Sequence, residues 1–170
     1  MVIGVIGNAR KMKMFGASWD LYNIVVTGQR MIIAQMTQAM LNAAILEAQA
    51  KAKAEGKGFL AIMKDQMAAQ FQFALRYETM SPDMALAETA GNRAIDNARI
   101  TAISMKLKDS GSGEMEYTEF RMVIESLDEK FEFIIGEDDR FFNLLRTVYG
   151  DRVHMPFGYF KAGGARITFF

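Results

Sequence analysis

Hydrophobic positions change their period once along this chain. From Ser18, apolar residues recur at Leu21, Val25, Ile32, Met36, Met40, Ala43 and Leu46. That spacing of about 3.6 residues predicts one long amphipathic helix. Ser18 would cap it, Asp20 suits its first turn, and Gly56 with Gly58 would stop it. A second helix is predicted from Phe59 to Tyr77, presenting Phe59, Ile62, Met63, Met67, Phe71 and Leu75. The third has the clearest start: Ser81 as cap, Pro82 at the first helical position and Asp83 beside the positive end. It would run through Leu86, Ala90, Ile95, Ala98 and Ile103 to Lys108.

After Lys108 the period becomes two. Phe120, Met122 and Ile124 alternate with Glu119, Arg121 and Glu125, and Phe131, Phe133 and Ile135 repeat the pattern after a turn at Ser126 to Lys130. An antiparallel pair of strands follows from this. Glu137-Asp138-Asp139 opens a short helix carrying Phe141, Phe142, Leu145 and Val148 to Tyr149, with Gly150 as its stop. Gly163-Gly164 then serves a two-residue hairpin that sets Phe160 against Ile167 and Lys161 against Arg166. The predicted fold class is therefore α+β and mainly helical. Long N-terminal helices precede a small antiparallel region with one short helix and a C-terminal hairpin. The domains expected are an arm and helical region over 1–108, a polar joint over 109–114, and an α+β region over 115–170.

The opening MVIGVIGNARKMKMFG looks like a strand entering a glycine turn, as dinucleotide-binding domains begin. The fingerprint G-x-G-x-x-G fails, however. With Gly7 first, Ala9 and Met12 occupy the places where phosphate approach and helix packing need glycine. Starting from Gly4 puts Ile6 and Ala9 there. The acidic residue required about 20 positions later is also missing, since Leu21 to Leu46 holds none. The stretch reads instead as a short apolar arm or edge strand followed by the basic cluster Arg10, Lys11 and Lys13.

Composition narrows the functional classes. At 170 residues and 51% hydrophobic, the chain can build one real core or two small ones. It has no cysteine, which removes disulfides, thiolate metal sites and cysteine nucleophiles. No signal-peptide pattern or membrane-spanning helix is expected, placing the protein in the cytoplasm or within a particle. The zero net charge conceals an asymmetry: thirteen basic and eight acidic residues up to Lys108, then seven basic and twelve acidic. Such a split implies an acidic partner for the first part or attraction between copies. The basic residues are too sparse for specific nucleic-acid recognition.

Candidate chemistry is thin. His154 is the only histidine, with Asp151 nearby, and no nucleophile motif accompanies it. One histidine and no cysteine leave only an oxygen-ligand metal site. Asp109 to Glu114 is a poor calcium loop, because Phe120 stands where the bidentate glutamate belongs. No catalytic, cofactor or metal residue is assigned, and the protein is expected not to be an enzyme.

The function expected is that of a structural subunit in an oligomeric assembly, whose partners are copies of itself and other subunits. The helices are rich in alanine, glutamine and methionine, a weak core for an isolated bundle. Over the first 108 residues this texture resembles that of internal or connector proteins of tailed-phage particles and of bacterial injection machines. Interface residues expected on this reading are Met31, Met36, Met40, Met63, Met67, Phe157, Phe169 and Phe170. Two alternatives are a homodimeric module binding a peptide or small ligand, and a peripheral membrane protein anchored by residues 1–15.

Overall fold

Leu21 to Met36, expected within a helix, forms most of a β-hairpin. β2 (Trp19–Thr27) and β3 (Arg30–Met36) pair antiparallel, with Val25 opposite Ile32 and Val26 opposite Met31. The helical spacing selects Leu21, Val25, Ile32 and Met36 and skips Ile24, Val26, Met31 and Ile33, all four of which are buried. Strands covered on both faces are apolar at successive positions, so they lose the period-two signal. Thr27 closes the turn: its hydroxyl donates to the Arg30 carbonyl at 2.7 Å and accepts the Arg30 N–H at 3.0 Å.

The computed structural model describes residues 1–13, 18–58, 61, 69, 72–108, 118–156, 160–162 and 165–167, the last two runs by their backbone. The chain divides into two compact units, Met1–Ala98 and Arg99–Phe170. The expected joint at 109–114 lies outside the described residues.

In the first unit, β1 (Val2–Met12) pairs antiparallel with β2, and β4 (Arg93–Asp96) pairs with β3, giving the order β4-β3-β2-β1. The opening stretch is thus an eleven-residue strand of an antiparallel sheet. α1 (Gln38–Ala54) begins only after the hairpin, where the Thr37 hydroxyl accepts the Met40 N–H. It ends where expected, with Gly56 at φ +67°. Residues 72–79 form a helix, called α2 here, while most of the predicted segment from Phe59 onward lies outside the described residues.

The Ser81 cap opens α3 (Pro82–Ala87) as predicted, but that helix lasts six residues. Gly91-Asn92 breaks it, and the Asn92 side chain takes over the backbone groups. Its Nδ2 donates to the Ala85 carbonyl at 2.7 Å and its Oδ1 accepts the Gln35 N–H at 2.8 Å. Ile95 and Ile103, read as helix positions, belong to β4 and to β5 (Ile100–Lys108). The fold is therefore mostly sheet with short helices, and the mainly helical N-terminal region is overturned.

In the second unit the period-two reading succeeds. β5, β6 (Glu119–Ser126) and β7 (Lys130–Gly136) form an antiparallel meander, with Met122 opposite Phe133 and Ile124 opposite Phe131. β8 (Val153–His154) lies parallel along β5. On the polar side, Arg121 pairs with Glu132 at 2.6 Å and Lys130 with Glu125 at 2.7 Å. Lys130 holds the Glu125 carboxyl below its usual range. α4 (Asp139–Tyr149) starts at the acidic triplet, where Asp138 caps it, and ends at Gly150. It buries Phe142, Leu145 and Tyr149, and Phe142 meets Phe120 edge to face at 5.0 Å. β9 (Phe160–Ala162) and β10 (Ala165–Ile167) pair with Lys161 opposite Arg166 and Phe160 opposite Ile167.

Phe120 is fully buried and packed on Phe142, so Phe120→Ala is expected to destabilise the second unit by about 3–5 kcal/mol. Asp138→Ala should cost about 1 kcal/mol through loss of the cap. Urea unfolding followed by circular dichroism checks both, and a Phe120→Ala loss below that of the cap variant would contradict this packing.

Candidate functional site

Two helices of the first unit frame a concavity. α1 and α2 flank a groove of about 630 Å³, bordered by Met40, Glu47, Lys51, Gln72, Phe73 and Arg76, with alanines between them. Alanine at Ala44 and Ala48 keeps the α1 wall shallow, so the groove stays open to solvent. α1 buries a single residue, Ala52, along seventeen positions. Leu46 is 63% exposed and Leu75 of α2 is 54% exposed.

Below the groove, α2 is tied to the sheet. Tyr77 is fully buried beside Val25, Ile32 and Ala34, with Phe73 packed against this cluster. Its hydroxyl donates to Glu88 Oε2 at 2.5 Å, and Glu88 Oε1 pairs with the Arg76 guanidinium at 2.6 Å. Arg76 also stacks on the Phe73 ring at 4.7 Å, so one side chain borders the groove and pairs with the half-buried carboxylate. Burial first, and then the neighbouring Glu88, push the Tyr77 phenol well above its ordinary value. A phenol held neutral in this way is a donor and a clamp; it is neither base nor nucleophile at neutral pH.

The sheet accommodates α2 through a bulge in β1. Register shifts between Ile6 and Ala9, and Asn8 takes φ +56°, a conformation asparagine tolerates. A Cβ on Gly7 would sit 2.8 Å from the Ala74 methyl of α2, so only glycine allows that approach. The Asn8 N–H donates to Asn23 Oδ1 at 3.4 Å.

A second concavity of about 560 Å³ lies at the β2–β3 turn, between Ile3, Gln29 and Pro82. Its lining includes the ion pair of Arg30 with Asp83, which joins the start of β3 to the start of α3.

Of the expected interface residues, Met31 and Met36 are buried in β3, so their contacts are made inside the chain. Met40 is half-buried and borders the groove. Met63, Met67, Phe157, Phe169 and Phe170 lie outside the described residues. His154 is exposed on β8, opposite Ser104 in register. Among the described residues no group of three His, Cys, Asp or Glu gathers as a metal would need, and no helix is long and apolar enough to cross a membrane. Sequence reasoning missed the Arg76–Glu88–Tyr77 clamp. Its members sit eleven and twelve residues apart across the Ser81-Pro82 break, a spacing without motif value. Comparison of the chain with protein-family models, curated proteins and solved structures finds no match.

The clamp sets an alkaline limit on stability. Because the folded phenol of Tyr77 titrates above the unfolded one, its contribution is complete below about pH 10 and falls as pH rises further. Tyr77→Phe should cost about 1–2 kcal/mol at neutral pH through the lost hydrogen bond. It should also make the alkaline loss shallower by up to about 1.4 kcal/mol per pH unit. Urea midpoints measured from neutral pH to pH 11 test this, and identical slopes for both proteins would refute it.

Proposed function

We propose that the protein is a non-catalytic structural subunit that assembles with copies of itself through the outer face of α1 and the rim of the α1–α2 groove. One observation carries this reading: a seventeen-residue helix that buries only Ala52 while Leu46 and Leu75 stand in solvent. An alanine-rich helix of that length is marginal in water without tertiary packing. A partner surface supplies that packing, and small side chains let a second helix approach closely. Charge supports a second copy as the partner. α1 carries Glu47 one turn before Lys51, so two copies laid antiparallel set each Glu47 against the other's Lys51. A particle or machine built from repeated subunits is the setting this role implies.

The groove favours a second reading, capture of an amphipathic peptide helix between α1 and α2, with Phe73 as its apolar floor and Arg76 at its rim. The two readings separate on mass. Light scattering after size exclusion is expected to give a dimer or larger for the wild type. Leu46→Glu with Leu75→Glu should yield monomers that remain folded, since exposed substitutions typically shift the stability of the chain itself within about 0.5 kcal/mol. A wild-type monomer at high concentration would sink the assembly reading and leave the peptide groove.

A further inference from the structure

The bulge in β1 carries a cost that the proposed assembly does not explain. Ile6 pairs with Ile24 and Ala9 with Tyr22, so Gly7 and Asn8 stand together against Asn23. The Asn23 side chain patches the interrupted ladder by accepting the Asn8 N–H at 3.4 Å. That leaves three buried polar atoms without a hydrogen-bond partner: Asn8 Oδ1, Asn8 Nδ2 and Asn23 Nδ2. Each is packed too closely for a water molecule to touch it, and Asn23 as a whole is 1% exposed. α2 presses on the same spot, since a Cβ on Gly7 would lie 2.8 Å from the Ala74 methyl. Asn23 Nδ2 lies near the Tyr77 hydroxyl but outside hydrogen-bonding geometry, while that hydroxyl donates to Glu88.

We propose that this bulge makes α2 a latched element, poised to lift from the sheet in a local opening. Buried polar groups without partners raise the free energy of the closed state, and contact with water removes that penalty. α2 covers the bulge, so lifting it admits water to the amides of Asn8 and Asn23. The latch is the Tyr77–Glu88–Arg76 clamp, one turn further along the helix from Ala74. Opening also removes a wall of the groove, because Phe73 and Arg76 of α2 border it. The closed state is therefore the one that can seat a partner, and the bulge sets how much of the protein is closed. What the opening controls rests on the assembly reading; the opening itself does not.

Amide hydrogen exchange on the dilute full chain tests the opening, with residues 73–79 compared against β2 and β3, whose amides report global unfolding. In the wild type the α2 amides should exchange by a route insensitive to low urea, while the β2–β3 amides should not. Asn8→Gly keeps the positive φ accessible and deletes two of the three unpartnered atoms. It should slow α2 exchange relative to the ladder by about fivefold or more, the low end of what one buried unpartnered group costs. Tyr77→Phe, which breaks the latch, should speed it by about the same factor, and the double variant should fall between the two. The proposal is overturned if wild-type α2 exchanges only together with the ladder. It is overturned too if Asn8→Gly leaves α2 exchange unchanged or speeds it relative to the ladder, as it would if these amides were hydrogen-bonded in solution. Should Asn8→Gly fail to fold, the wild-type urea dependence and Tyr77→Phe decide. Slowed exchange in dilute Asn8→Gly, with no added α2 protection on concentration, would uphold the opening and sink the assembly reading.

Discussion

Between Asn23 and Ala34 the β2–β3 ladder has side chains packed on both of its faces, and the first unit is arranged around that burial. Val25, Ile32 and Ala34 meet Tyr77 and Ala85 on one face, while Ile24, Val26, Met31 and Ile33 turn to the other, all but dry. Each such side chain contributes about 1.5–3 kcal/mol when withdrawn from water. With both faces apolar, the ladder needs every backbone group satisfied at its ends. Amides and a hydroxyl do this. Asn97 Nδ2 donates to the Thr27 carbonyl at 2.8 Å, Thr27 closes the hairpin turn, and Asn92 receives the Gln35 N–H. The loop from Glu88 to Asn92 is therefore fixed to β3, and it carries the carboxylate that holds Tyr77.

That clamp divides the helices by how firmly they are held. α2 is anchored through Tyr77, the Gly7–Ala74 contact and the Arg76–Glu88 pair. α3 is held by its cap and by Asn92. α1 buries only Ala52 and keeps its remaining positions half-buried or exposed. The proposed self-assembly follows this gradient, because a surface that a fold leaves uncovered on a rigid platform is ready for a partner. The second unit shows the contrast: α4 buries Phe142, Leu145 and Tyr149 on one stripe and is spent on its own core.

What the sequence made legible depended on whether an element had a wet face. β6, β7 and α4 each keep charged residues on one side, so Phe120, Met122 and Ile124 stood out against Arg121 and the reading matched the register, although Val123 and Ile134 on the Arg121 side are buried as well. The register expected around Gly163-Gly164 likewise matches the β9–β10 pairing. β2 and β3 have no wet face, and their contiguous apolar residues also satisfied a helical spacing. Ile24, Val26 and Ile33, β-branched and adjacent to other buried positions, were the overlooked signal, together with Thr27-Gly28 as a turn. The third predicted helix ran through Gly91-Asn92, whose side-chain bonds compete directly with helix continuation. The clamp was beyond sequence reasoning for another reason. Tyr77 and Glu88 become neighbours only once the strands and helices are placed.

Amide hydrogen exchange at two protein concentrations tests the central claim most directly, namely that a dry ladder carries a helix awaiting its own copy. β2 and β3 amides should exchange slowly and equally at both concentrations, as the most stable part of the first unit. Amides from Met40 to Lys51 should exchange fast when dilute and gain protection when concentrated. If α1 amides are as protected as those of β3 in dilute protein, the helix is held by its own chain and the account is contradicted.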